Sequence, residues 1–306
     1  MEPIWDWGND VIVSIQAVHN PILDDIFNAI TLLGEVEFFL LIFPFIIWSI
    51  DKSVGVRLVY LVSISIAVNT WAKSLVNHPR PFEWPSLDSS PVLKLNDTAY
   101  GPGLPSGHTQ TSLVLWFYLA YKLNRTWLWW VAAILFVLVS FSRVYLGVHF
   151  PTDLLGGAIL GLIILLLFIR FEPSITTLLK GQSTLFLIGA SVLLPLIIMF
   201  LHRHADTIAV MSTLSGFSLG VIFDQQKIGF EATGSILQRL GRYLLGLLVL
   251  LVIFEGLGIL VPSQNSLWHL PIQILRYVAA GFWISGGALW LFWQIDLWQM
   301  RNKQIC

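Results

Sequence analysis

The chain has 306 residues, of which 56% are hydrophobic and 11% charged, with 14 Trp and 20 Phe. Soluble domains carry about 25% charged residues, so this composition excludes an ordinary soluble domain and points to a protein that spans a membrane. A net charge of −1 leaves no basis for a nucleic-acid partner, and Cys306, the single cysteine, excludes an internal disulfide.

From the N-terminus, residues 1–20 lack the basic start and long apolar run of a cleavable signal, so insertion is expected to begin at the first spanning helix. Residues 22–34, with Asp24 and Asp25, read as an interfacial or half-inserted helix leading into a short first span. A crossing helix needs roughly 20 mostly apolar residues. Such runs fall at about 35–50, 55–77, 107–122, 127–145, 152–170, 183–201, 206–223, 243–261 and 272–295. The expected fold is all-α, a polytopic transmembrane helical bundle of about nine spans.

Alternate loops then lie on opposite sides. One side collects Lys52, Arg57, Lys122, Arg125, Arg170, Lys180, Lys227, Arg239, Arg242, Arg301 and Lys303, eleven of the seventeen basic residues. The positive-inside rule makes that side cytoplasmic, with the C-terminus, and places the N-terminus outside. Trp127, Trp129, Trp130, Trp268, Trp290, Trp293 and Trp298 lie near span ends, as an aromatic belt requires. Glu37, and Arg276 with Tyr277, read as interfacial anchors or helix-packing partners, and His202, Arg203 and His204 as a solvated outer loop.

Three polar clusters share the outer side. KSLVNHPRP closes the second span, PSGH opens the third, and SRVYLGVHFPTD joins the fourth to the fifth, while a proline-rich loop, 78–106, separates the first two. Ionisable groups at the rim of hydrocarbon are costly unless paired or solvated, which makes them functional candidates. Lys73, Arg80 and Arg143 supply three cationic donors, and the planar fork of Arg suits phosphate oxygens. Ser106 is a natural N-cap, so the amides of Gly107 and His108 would point outward at the positive end of a helix dipole. Gly107 lets an anion approach the backbone, and the set reads as a phosphate cradle.

The two histidines take different parts. Asp153 follows His149 by four residues, and Pro151 suits the first position of the fifth span, so the carboxylate can bond one ring nitrogen and leave the other as a nucleophile. His108, on another helix end, would protonate the departing alkoxide and then activate water. The cations and helix amides already stabilise the equatorial charge, so no metal and no cofactor is expected. His78 reads as a rim residue. Asn69, one turn before Lys73, could bond its ammonium or a backbone carbonyl.

The spacings K-x6-R-P (Lys73 to Pro81), P-S-G-H (Pro105 to His108) and S-R-x5-H-x3-D (Ser142 to Asp153) resemble the three-part signature of the type 2 phosphatidic acid phosphatase superfamily. The resemblance implies a helical core, a phosphohistidine on His149, leaving-group protonation by His108, and phosphate binding by Lys73, Arg80, Ser106, Gly107 and Arg143. It covers residues 20–170 well. Segments further on resemble the C-terminal extension of some bacterial members, which divides the chain into an interfacial segment 1–34, a phosphatase core 35–172 and a four-helix extension 173–306. The expected substrate is a lipid phosphate: phosphatidic acid, phosphatidylglycerol phosphate, an isoprenyl diphosphate or a sphingoid phosphate. The other partners are membrane lipids, and the extension could support a homodimer. A lipid phosphotransferase, or a non-catalytic lipid-binding or transport protein, would share the scaffold. The expected location is a bacterial inner or plasma membrane with the site on the periplasmic or extracellular side.

Overall fold

A computed structural model describes residues 2–84 and 92–295. Pro85, Pro91, Trp298, Arg301, Lys303 and Cys306 lie outside the described residues. Among those described, the regular elements are all helical: α1 (Glu2–Gln16), α2 (Pro21–Thr31), α3 (Val36–Phe45, continued by a π turn Ile46–Ile50), α4 (Lys52–Val76), α5 (Gly107–Leu123), α6 (Thr126–Tyr145), α7 (Pro151–Lys180), α8 (Thr184–Leu201), α9 (Ala205–Lys227), α10 (Ile236–Ile259), α11 (His269–Phe282) and α12 (Ala288–Gln294).

Seven helical segments are long and apolar enough to cross a membrane, and α2 with α3, bent by 55° at their junction, can make an eighth as a broken span. The expected count of nine is not reached by this measure. The third expected span, α5, has 17 residues and is about 26 Å long at 1.5 Å per residue, less than the hydrocarbon thickness of about 30 Å.

The chain divides into two compact units, residues 1–39 with 64–171 and residues 40–63 with 172–306. In the first unit, local sequence sets the helix ends that matter. Asn20 caps α2, accepting from the Leu23 amide at 3.1 Å, with Pro21 just inside the helix. Asn77 and Asn124, at φ 48° and 49°, close α4 and α5 in the left-handed conformation that Asn tolerates. α1, which the apolar runs do not reveal, buries Ile12 against Val92, Val144 and Phe150. Its last residue, Gln16, donates to the carbonyls of Leu93 and Tyr145 at 2.8 and 3.0 Å and accepts from the Leu93 amide at 2.9 Å. This single amide satisfies both backbone groups of Leu93 in a loop that has no sheet or helix to pair with. A Cβ at Gly157 of α7 would stand 2.4 Å from the Ser106 carbonyl oxygen, so glycine is what lets the start of α5 rest on α7.

In the second unit, Trp48 is fully buried and donates to the Ile284 carbonyl at 2.8 Å. Lys52 pairs with buried Asp224 at 2.6 Å, and Arg57 with Glu172 at 2.7 Å. Arg276 donates to the Phe254 carbonyl at 2.7 Å and stacks on that ring, a helix-packing role. His204 accepts from the Asp206 amide as the cap of α9.

Candidate active site

The three polar clusters meet in the first unit, joined through their backbones. The Ser106 amide donates to the Asp153 carbonyl at 3.0 Å, the Gly103 amide to the His78 carbonyl at 2.8 Å, and Arg80 Nη1 to the Val148 carbonyl at 2.7 Å. Arg80, Ser106, Arg143, His149 and Asp153 are each no more than 3% exposed, so their polar groups depend on protein or ligand partners.

Pro151 opens α7 and puts Asp153 in its first turn. The Asp153 Oδ2 lies 3.1 Å from His149 Nδ1 and accepts the Phe150 amide at 3.0 Å, while Oδ1 is buried without a hydrogen-bond partner among the described residues. On the other side of the imidazole, His149 Nε2 is 3.3 Å from Arg80 Nη1. Burial, then the positive charges of Arg80, Lys73 and Arg143 and the nearby His108, push His149 well below the ordinary imidazole range. The ring is therefore neutral at physiological pH, with a lone pair available.

Arg80 does more than the sequence suggests. Its Nε donates to the Gly101 carbonyl and its Nη2 to the Tyr100 carbonyl, both at 2.8 Å. Most of the fork thus anchors the loop 100–103 over His149, and only part of it can face a ligand. Arg143, in the last turn of α6, donates through Nη1 to Thr31 Oγ1, while its buried Nε has no partner among the described residues. Lys73 sits in the last turn of α4, close enough for its charge to act on His149.

Ser106 caps α5, its hydroxyl oxygen 3.5 Å from the Thr109 amide and 3.1 Å from the Thr109 hydroxyl. The amides of Gly107 and His108 fall in the first turn, where no intrahelical acceptor exists. A Cβ on Gly107 would come within 3.1 Å of Asn69 Oδ1. Asn69 bonds not forward to Lys73 but across to α5, donating to Pro105 O at 3.3 Å and to Gln110 Oε1 at 2.7 Å, and Gln110 continues to Ser65. This network fixes α5 against α4 beneath the site. His78 stacks on Trp5 at 4.4 Å and among the described residues has no polar partner on its ring nitrogens, which sets it among aromatics.

Two contributors escape a reading of motifs. Glu35, at the bend between α2 and α3, places Oε1 3.2 Å from His108 Nε2, and Thr31 holds Arg143. The only signal for either in the sequence is a polar interruption, T-L-L-G-E, before an apolar run. Among the described residues, no group of three or more His, Cys, Asp or Glu could hold a metal ion.

Such an arrangement can bind an anion with oxygens in several directions and present a neutral imidazole to its centre. Residues 54–176 match the PAP2 superfamily, and residues 208–302 match the PAP2 superfamily phosphatase, transmembrane extension. The lipid phosphate phosphatase delta of Arabidopsis thaliana is 23% identical over 89% of this chain and 72% of its own length. The human sphingosine-1-phosphate phosphatase 2 is 28% identical over 61% of this chain and 49% of its own. The undecaprenyl-diphosphatase of Sulfolobus acidocaldarius is 32% identical over 42% of this chain and 60% of its own. With its apolar helices, its two matched segments and a motif set gathered in one unit, this multi-pass membrane chain belongs to the PAP2 superfamily of phosphatases.

Proposed function

We propose that the chain is a phosphatase for lipid phosphates or diphosphates that works through a phosphohistidine and needs no metal. The observation that carries this reading is the environment of His149, an imidazole between the Asp153 carboxylate and the Arg80 guanidinium. In the first step Nε2 forms a bond to phosphorus as the bond to the leaving oxygen breaks, the alcohol oxygen of a phosphate or the bridging oxygen of a diphosphate, and the proton of His108 passes to that departing oxygen. In the second step water attacks phosphorus, its proton passes to His108, and the N–P bond breaks to release phosphate. Lys73, Arg80, Arg143 and the first amides of α5 stabilise charge on the equatorial oxygens.

The relatives act, by their names, on lipid phosphates, a sphingoid phosphate and an isoprenyl diphosphate, and the proposed substrates are of these classes together with phosphatidic acid and phosphatidylglycerol phosphate. The charge tally supports a site on the outer face of the membrane with the C-terminus cytoplasmic. The test is phosphate release from that lipid panel by purified protein in detergent with chelator present. His149→Ala and His108→Ala should each reduce turnover at least about 100-fold. Full activity of His149→Ala, a strict need for Mg²⁺, or phosphorylated acceptor lipid in place of free phosphate would each overturn part of the reading.

A further inference from the structure

His108 is the second residue of α5, at the positive end of that helix. Lys73 and Arg143 add two cations to the same unit, and Arg143 lies within electrostatic reach of Glu35. Burial of its Nε2, ahead of these three influences, opposes a positive charge on His108, although a group that is to protonate a departing alkoxide must carry a proton when the reaction begins. A compensating negative charge is needed, and the motif residues do not provide it, because Asp153 is committed to His149 and the Phe150 amide.

Glu35 stands where that charge is required. Its Oε1 is 3.2 Å from His108 Nε2, and the Thr98 hydroxyl lies 3.0 Å from the same oxygen. The contact depends on the preceding residue, since a Cβ at Gly34 would stand 2.6 Å from His108 Cδ2. The bend that separates α2 from α3 is thus what brings the carboxylate and the ring together. Glu35 also borders an open cavity of about 490 Å³, with Asn28, Asn96, Asp97 and Thr98 on its walls.

We propose that Glu35 is the positioning residue of the general acid. It pairs with the ring on its Nε2 side at 3.2 Å, sets the ring so that Nδ1 carries the transferable proton, and offsets the cations that would otherwise strip it. During reaction the proton leaves Nδ1 for the alcohol oxygen and returns to Nδ1 from the attacking water. Glu35 remains a carboxylate throughout. The site then holds two His–carboxylate pairs with different tasks, one aiming a neutral imidazole at phosphorus, the other orienting the general acid.

This inference rests on the hydrolase reading above, and its test separates the two. Full-length Glu35→Gln and Glu35→Asp are compared with the parent and with His108→Ala on phosphatidic acid, whose alkoxide must be protonated, and on 4-nitrophenyl phosphate, whose phenolate leaves without help. Glu35→Gln is expected to lower kcat on phosphatidic acid by about 100-fold with little change in KM, and on 4-nitrophenyl phosphate by at least about tenfold less, with Glu35→Asp in between. His108→Ala should show the same selectivity. Selectivity in His108→Ala but an equal loss on both substrates, or no loss, in Glu35→Gln overturns the role of Glu35 alone. Equal losses in His108→Ala overturn the acid assignment itself. A general folding defect would lower both substrates together in both Glu35 variants and likewise counts against the proposal.

Discussion

Arg80 Nη1 stands 3.3 Å from His149 Nε2. A guanidinium can only donate, so Nε2 must be the acceptor and the proton of the neutral ring must sit on Nδ1, facing Asp153. The contact therefore assigns the tautomer without a hydrogen being located. It also identifies the lone pair that a phosphorus atom would meet once Arg80 Nη1 turns to a phosphate oxygen.

Asp153→Asn tests this assignment. The amide keeps the shape of the carboxylate but can present N–H to Nδ1, which forces the proton to Nε2 and removes the nucleophile. Turnover is expected to fall by about 10³–10⁴, as when a triad carboxylate is neutralised, while KM changes little. Trapping of ³²P on the protein by acid quench should disappear in parallel. Retention of more than a tenth of the activity would show that the tautomer is held by something else.

The depressed basicity of His149 has a consequence for pH dependence. Burial and the surrounding cations hold its imidazole well below the ordinary 6.5, so the acidic limb of kcat/KM that reports this group should lie well below pH 6.5. A cation disfavours protonation, so removing one must raise the value. Arg80→Gln should therefore move the acidic limb upward in pH, besides lowering the rate. A limb that stays in place or moves to lower pH would contradict the placement of that charge beside Nε2.

Packing beneath the site gives a prediction on stability. Gly157 has the Ser106 carbonyl oxygen 2.4 Å from where its Cβ would be. Gly157→Ala must push α5 away from α7 and strain the bond between the Ser106 amide and the Asp153 carbonyl. The expected cost is about 1–3 kcal/mol of overpacking, seen as a lower melting temperature in detergent together with reduced turnover. An unchanged melting temperature would mean that α5 and α7 do not meet as described.

What the sequence reveals of this molecule follows from the reach of each signal. The helices are legible as apolar runs, and the motif residues as spacings, because both are local. Pro151 and Ser106 could be placed at helix starts for the same reason. The packing of α1 is not legible, since Glu2–Gln16 buries the polar Asn9 and Gln16 beside Ile12 while leaving Ile4 and Trp7 exposed. Neither are the Arg80 contacts with the carbonyls of Tyr100, Gly101 and Val148, which depend on how two loops 20 and 68 residues away come back to it. Glu35 escapes because no spacing rule connects it with His108, and a bend of 55° in a broken helix does.

The buried Nε of Arg143 carries the last prediction. It lies at 1% exposure without a hydrogen-bond partner, although Nη1 is held by Thr31. Leaving such a donor unsatisfied costs about 1–3 kcal/mol, and the oxygen of a bound phosphate is the acceptor that would remove this cost. Orthovanadate, which mimics the five-coordinate phosphorus, should therefore stabilise the protein as it inhibits it. At 100 times its Kd, it should add about 2.7 kcal/mol, visible as a rise in melting temperature. Arg143→Gln relieves the unsatisfied charge but removes the donor, so this variant should melt no lower than the parent in buffer and gain much less from vanadate. An equal vanadate shift in both proteins would place Arg143 outside the phosphate site and leave its buried Nε to be explained by the fold alone.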